Sequence, residues 1–370
     1  MRIGVLTGGG DCPGLNAVIR AVAKSLMVQC GAEVIGFEEG FLGLIERRYR
    51  KLDYRDVSGI LAQGGTILGT HNRANPFNYY LEGGADVSDR VLGLYKELGL
   101  DAIVVIGGDG TMSMAYRMQQ MGVNIVGVPK TIDNDLMETD RTFGFDTAVA
   151  IASEAIDRLQ TTGQSHGRIM IVETMGRYTG WIALHAGIAG GADVILLPEF
   201  PYDLEEVARV CREREGRQRF TIIAVAEGAT AKDGEMVVRE RDESSPDPLR
   251  LGGIGNLLRE QLKPLVDSEI RTTILGHVQR GGTPTAFDRV LSTNFGCFAA
   301  SLIAKKQFGR MVALKDNHMT SVPLIDVADK TRLVPENSFM VTSAAAVGVS
   351  FGVSPEGFEI ANLGSSIPLE

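Results

Sequence analysis

The 370-residue chain is 44% apolar and 22% charged, with a net charge of −9, a balance that excludes disordered and fibrous classes. No basic footprint argues for nucleic acid or an anionic membrane surface, and no apolar run reaches the roughly 18 residues of a membrane span. The length is that of two domains. Met1-Arg-Ile-Gly-Val leads directly into a strand, leaving no room for a signal peptide. Cys12, Cys30, Cys211 and Cys297 are scattered without metal-ligand spacing, so they read as the reduced thiols of a cytoplasmic protein.

In chain order, β-rich apolar runs alternate with amphipathic helix-length stretches. Arg2 to Thr7 is predicted as a strand, Leu15 to Gln29 as a helix and Glu33 to Phe37 as a strand. Ala74 to Asp86 is a glycine- and asparagine-containing excursion suited to a nucleotide pocket. Asp101 to Ile106 and Asn124 to Val128 read as buried strands separated by a helix over Thr111 to Met121. A second unit starts near residue 145, with helices Asp146 to Thr162, Trp181 to Gly190 and Leu204 to Arg214. Its strands are Arg168 to Glu173, Val194 to Leu197 and Phe220 to Ala226. Ala231 to Leu251 is polar and reads as a surface excursion; a helix from Gly255 then leads to Arg271 and the strand Thr272 to Leu275. This alternation predicts an α/β fold, its parallel sheets covered by helices.

Glycine-rich turns follow two of the strands. Leu6-Thr-Gly8-Gly9-Gly10-Asp11 opens the first helix, and its glycines let backbone N–H groups approach a phosphate. The spacing matches neither the dinucleotide fingerprint nor a P-loop. Ile106-Gly107-Gly108-Asp109-Gly110-Thr111 lies at another strand end. Asp109 there suits a magnesium ion bridging phosphate oxygens; the competing reading is an aspartate that caps the following helix.

Pro129-Lys-Thr-Ile-Asp-Asn-Asp135 places Lys130, Thr131, Asp133 and Asp135 beside a strand that Pro129 is expected to end. Carboxylates on a loop at a strand's carboxyl end can take a proton from an alcohol or help hold a metal. Arg168 and Arg177 flank one buried strand; Arg271, His277 and Arg280 flank another. Guanidinium forks suit phosphate oxygens and developing transition-state charge. Glu227, at a third strand end, can accept sugar hydroxyls.

From Met1 to about residue 310, this ordered set resembles the 6-phosphofructokinase family. The resemblance implies two Rossmann-like three-layer αβα domains with mainly parallel sheets. A larger donor-binding domain would take residues 1–144 with about 279–335, and a smaller sugar-phosphate domain 145–278 with about 336–370. It implies ATP-dependent phosphorylation of fructose 6-phosphate at C1, with Mg2+ held by Asp109. Asp133 would be the base, with Thr131, Lys130 and Asp135 beside it, and Arg177 would stabilise the transferring phosphoryl group. Gly10, Arg73, Ala74 and Gly107, Gly108, Asp109, Gly110 and Thr111 would line the donor site. Met175, Gly176, Glu227, His277 and Arg280 would hold the sugar phosphate. Arg168 and Arg271 would reach the 6-phosphate of a neighbouring subunit, in a homodimer or homotetramer with shared active sites.

Gly110 and Lys130 bear on the donor. Pyrophosphate-using members resemble one another in carrying aspartate at position 110, which crowds the α-phosphate of a nucleotide; Gly110 leaves room for ATP. Lys130 is usual in pyrophosphate enzymes, but some ATP-using branches keep it with the open glycine. Steric exclusion is the stronger filter, so ATP is expected and pyrophosphate is the alternative. A lipid- or NAD-kinase reading explains only Gly107 to Thr111, and a non-catalytic sensing subunit is expected to lack Asp133 or Arg177. Arg20 and Lys24 lie where bacterial members bind effectors, but Gln160 and Asp193 depart from the usual basic residue and glutamate.

Overall fold

The computed structural model describes residues 1–215, 220–241 and 249–353. The regular elements begin with β1 (Arg2–Thr7), α1 (Leu15–Cys30), β2 (Glu33–Phe37), α2 (Phe41–Ile45), β3 (Tyr49–Leu52), α3 (Ser88–Glu97), β4 (Ala102–Gly107) and α4 (Asp109–Gln120). There follow β5 (Ile125–Thr131), β6 (Phe143–Gly144), α5 (Phe145–His166), β7 (Ile169–Thr174), α6 (Trp181–Ala189), β8 (Val194–Leu196), α7 (Leu204–Glu215) and β9 (Thr221–Ala226). The remainder are β10 (Val238–Arg241), β11 (Leu249–Leu251), α8 (Ile254–Leu262), β12 (Ile270–Ile274), α9 (Ala286–Ala304), β13 (Arg310–Lys315), β14 (His318–Pro323) and α10 (Phe339–Ala346). They group into two units. Among the described residues, the first takes 1–147 and 280–332, the second 148–241, 249–279 and 333–353. Among them, no helix is long and apolar enough to cross a membrane.

The sheet of the first unit runs β14-β13-β5-β4-β1-β2-β3, with β6 against the end of β5. Its middle is parallel, and the outer strands β3 and β14 are antiparallel. Every residue of β4 is buried, as expected for a parallel strand covered on both faces. Helix α1 packs against α9 so closely that a Cβ at Gly296 would lie 2.6 Å from the Ala21 methyl. The chain leaves β1 for β2 on one side and later returns to β4 on the other. The carboxyl ends of β1 and β4 therefore flank a topological switch point, where open α/β sheets bind ligands.

In the second unit the sheet is parallel throughout, in the order β12-β7-β9-β8. Ile171, Val194, Ile223, Leu258 and Ile270 belong to its core. The molecule is thus α/β with mainly parallel sheets.

Three expectations are corrected. β5 continues through Pro129 to Thr131. The proline is tolerated because β13 pairs β5 only at Val126 and Gly127, so that ladder has ended before the missing N–H matters. Arg271 lies inside β12, not ahead of it. The polar stretch after Ala231 contains an antiparallel pair, β10 with β11; its residues 242–248 lie outside the described residues.

Candidate active site

Three loops converge at the switch point of the first unit. Gly8 N–H donates to the Ile106 carbonyl at 2.8 Å, tying the glycine loop to β4. A Cβ at Gly8 or Gly107 would lie 2.9 or 2.3 Å from the Thr111 methyl, so both glycines are demanded by packing around that buried threonine. Gly110 differs: a Cβ there would meet nothing within 4 Å, and its φ is not positive. Neither backbone nor neighbours require glycine at 110. Asp109 is the first residue of α4, and no side chain caps that helix, which disposes of the capping reading.

Two cations close on the glycine loop. Lys130 Nζ donates to the Gly10 carbonyl, and Arg280 donates to the Asp11 carbonyl at 3.3 Å. Lys130 is 4% exposed, and burial pulls its pKa below the usual lysine range. Arg280, expected only against the sugar phosphate, thus also braces the donor loop through contacts within its own unit.

Beyond Thr131 the chain reverses through Asn134, which takes a left-handed φ of 53°. Asn134 Oδ1 accepts from Thr142 N–H at 3.0 Å, and Thr142 Oγ1 donates to the Thr131 carbonyl at 2.7 Å. Asp133 N–H donates to Thr131 Oγ1 at 3.0 Å. This frame holds the two aspartates on a tight turn. Asn134 was missed as a positioning residue, although asparagine between two aspartates is a signal for a left-handed turn. Asp135 Oδ1 is enclosed and accepts no hydrogen bond. Its pKa is pushed up to about 7 by burial, then by the charges of Asp133 and Asp109.

In the second unit the expected sugar-binding residues gather at the carboxyl ends of neighbouring strands. Met175, Gly176 and Arg177 follow β7, Glu227 follows β9 and His277 follows β12. Gly176 has φ 135°, and its carbonyl accepts from Gly228 N–H at 3.0 Å. A Cβ at Gly228 would lie 1.8 Å from the Arg177 carbonyl oxygen, so the turn is boxed by backbone. Glu199, unnoticed in the sequence, accepts from Gly180 N–H at 3.1 Å and Val334 N–H at 2.9 Å, holding the far side of the turn.

Arg168 and Arg271 are not brought to that end. They lie at the amino ends of β7 and β12, about 20 Å of strand away, and both pair with Glu269.

A phosphofructokinase family profile matches residues 2–303. The chain belongs to the phosphofructokinase family. It is 53% identical to the ATP-dependent 6-phosphofructokinase 2 of Clostridium perfringens, over 95% of this chain and 98% of that protein. It is also 48% identical to the pyrophosphate–fructose 6-phosphate 1-phosphotransferase of Amycolatopsis methanolica, over 92% and 98%. Among solved structures, Saccharomyces cerevisiae phosphofructokinase aligns with a TM-score of 0.75 and 31% identity. The alignment covers 98% of this chain; this chain spans about half, 48%, of the yeast chain.

Phosphofructokinases generally need a divalent metal, and the carboxylates fit one of a particular kind. Among the described residues, no three histidine, cysteine, aspartate or glutamate side chains form a metal cage. Asp135 is nevertheless close enough to Asp133 and Asp109 to feel the charge of both. Such a set suits a hard cation whose other ligands are phosphate oxygens and waters.

Gln160 donates to the Gly190 carbonyl and Asp193 pairs with Arg214 at 2.9 Å. Lys24 lies 4.0 Å over the Tyr54 ring.

Proposed function

We propose that this chain transfers the γ-phosphoryl group of ATP to the C1 hydroxyl of fructose 6-phosphate, the committing phosphorylation of glycolysis, in the cytoplasm. The observation that carries the reading is the turn after β5. It presents Asp133 beside an Asp135 whose carboxyl resists ionisation, so one carboxylate can serve as base without an equally charged neighbour. Asp133 accepts the C1 hydroxyl proton, and Thr131 fixes its backbone. Arg177, on its boxed turn, stabilises the charge of the transferring phosphoryl group. Asp109 would hold Mg2+, which when bound neutralises charge on the donor phosphates. Gly10, Arg73, Ala74 and Gly107 to Thr111 line the donor site in residues 1–144 with 279–335. Met175, Gly176, Glu227, His277 and Arg280 hold the sugar phosphate, chiefly in 145–278 with 336–370.

The positions of Arg168 and Arg271 support a shared site. Lying at the strand ends opposite Arg177, Glu227 and His277, they serve the 6-phosphate of a neighbouring subunit in a homodimer or homotetramer.

Gly110 supports ATP over pyrophosphate, because nothing among the described residues requires a glycine there. Lys130 and the Amycolatopsis relative favour the second reading, pyrophosphate as donor. Against it, the Lys130 ammonium is already engaged by the Gly10 carbonyl. Turnover with each donor at saturating fructose 6-phosphate decides. ATP turnover is expected, with Gly110→Asp lowering it about 10²-fold through steric and charge repulsion; pyrophosphate turnover without ATP turnover refutes the donor assignment.

A further inference from the structure

His71 lies just ahead of the excursion that begins at Ala74, two residues before Arg73. The preceding Thr70 donates through Oγ1 to the Gly9 carbonyl of the glycine loop. His71 Nδ1 accepts from two backbone amides, Arg73 N–H at 3.2 Å and Ala74 N–H at 3.1 Å. A ring nitrogen that accepts carries no proton, so the neutral tautomer has its hydrogen on Nε2. Nε2 lies 3.3 Å from the Tyr80 hydroxyl, and the Tyr80 ring stacks on the imidazole with centroids 5.4 Å apart. The base of the excursion is firm: buried Tyr79 donates through its hydroxyl to Glu46 at 2.6 Å and pairs with Ala85. Above that base, the imidazole joins both amides of the Arg73–Ala74 turn.

We infer that His71 is a positioning residue for the donor site, whose unprotonated Nδ1 holds the Arg73–Ala74 turn and whose protonation releases it, making ATP affinity fall in mild acid. The inference rests on the assignment of Arg73 and Ala74 to the donor site. A proton on Nδ1 would point a donor at two donors, and each amide would lose its partner. The charged groups facing the ring are Glu39, Arg73 and Arg48, with Glu39 and Arg48 themselves paired at 2.6 Å. Burial holds the imidazole below its ordinary range, Glu39 opposes this, and Arg73 and Arg48 add to it. The turn is therefore intact at neutral pH and loosens as the pH falls below the usual histidine range.

The test is the KM for ATP at pH 8 and pH 5.5, at saturating fructose 6-phosphate, for the wild type, His71→Asn and His71→Ala. Asparagine can accept from the same two amides but does not titrate. Protonation of ATP and of the sugar phosphate affects all three proteins alike and cancels in the comparison. The ratio of the pH 5.5 to the pH 8 KM should be at least about threefold larger in the wild type than in His71→Asn. His71→Ala should raise the KM at pH 8 relative to His71→Asn, since it offers no acceptor. Equal ratios in wild type and His71→Asn, with ATP turnover intact, overturn the inference alone. Absence of ATP turnover at both pH values overturns the donor reading beneath it.

Discussion

At the carboxyl end of β5, Lys130 is buried and Asp135 is half-buried with its Oδ1 enclosed, and burial shifts the ionisation of both. At the amino ends of β7 and β12, Arg168 and Arg271 lie partly or largely in water, joined through Glu269. The first region spends folding energy to set the charge state of its groups before any substrate arrives. In the second, exposed pairs contribute little to stability, and the guanidinium forks can exchange a carboxylate for a phosphate at low cost. On the proposed reading, the contrast separates chemistry, which needs groups fixed in advance, from capture of an anion, which needs charge that can change partners.

Asp133→Ser would test the contrast most severely. Losing a positioned general base should lower kcat by about 10² to 10⁴-fold, while the affinity for fructose 6-phosphate, read by equilibrium binding, should change little. Near-normal turnover would remove the enclosed region from the chemistry. Arg168→Ala and Arg271→Ala should act the other way, each raising the KM for fructose 6-phosphate by about 10- to 100-fold through a lost charge-assisted contact. If instead the KM holds and only thermal stability shifts, the arginines serve the surface and not the substrate.

The smallest expected effect is on stability. Because the Asp135 carboxyl is raised to about 7 from 3.8, it contributes its full share of stability below pH 4. That share is lost as the pH rises through about 7. Asp135→Asn removes the cost of ionisation, so its melting temperature should exceed the wild type's by a few degrees at pH 8, roughly 1–2 °C per kcal/mol in a chain of this size. The gap should close as the pH falls from 7 towards 4, and a gap independent of pH would show that the carboxyl is not the cause.

Much of this was legible in the residues. The β4 run is apolar throughout, and β1 and β7 carry continuous apolar stretches flanked by polar residues, as strands buried on both faces need. The glycine turns after β1 and β4 and the aspartates after β5 were visible because ligand loops follow parallel strands. Other features were not. Pro129 read as a strand stop because its missing N–H counts only if a neighbour is present to receive it, and the register of β13 is a long-range fact. The hairpin of β13 and β14, antiparallel at the sheet edge, lacks the repeating strand–helix rhythm that marked the rest. Glu199 and His71 each act on backbone amides, so no motif of side chains announces them.

The sequence by itself determined the class of fold, the family, and the order in which base, arginines and glycine turns occur, since hydrophobic period and local turn chemistry are written in neighbouring residues. Only the tertiary structure decided what each charge experiences. It showed Lys130 engaged by a loop carbonyl 120 residues away and Asp135 raised by burial and by Asp109. It left Gly110 with open space where Gly107 has none. Burial and Coulomb interactions depend on distances that folding creates between segments remote in the chain, and no local pattern records those distances.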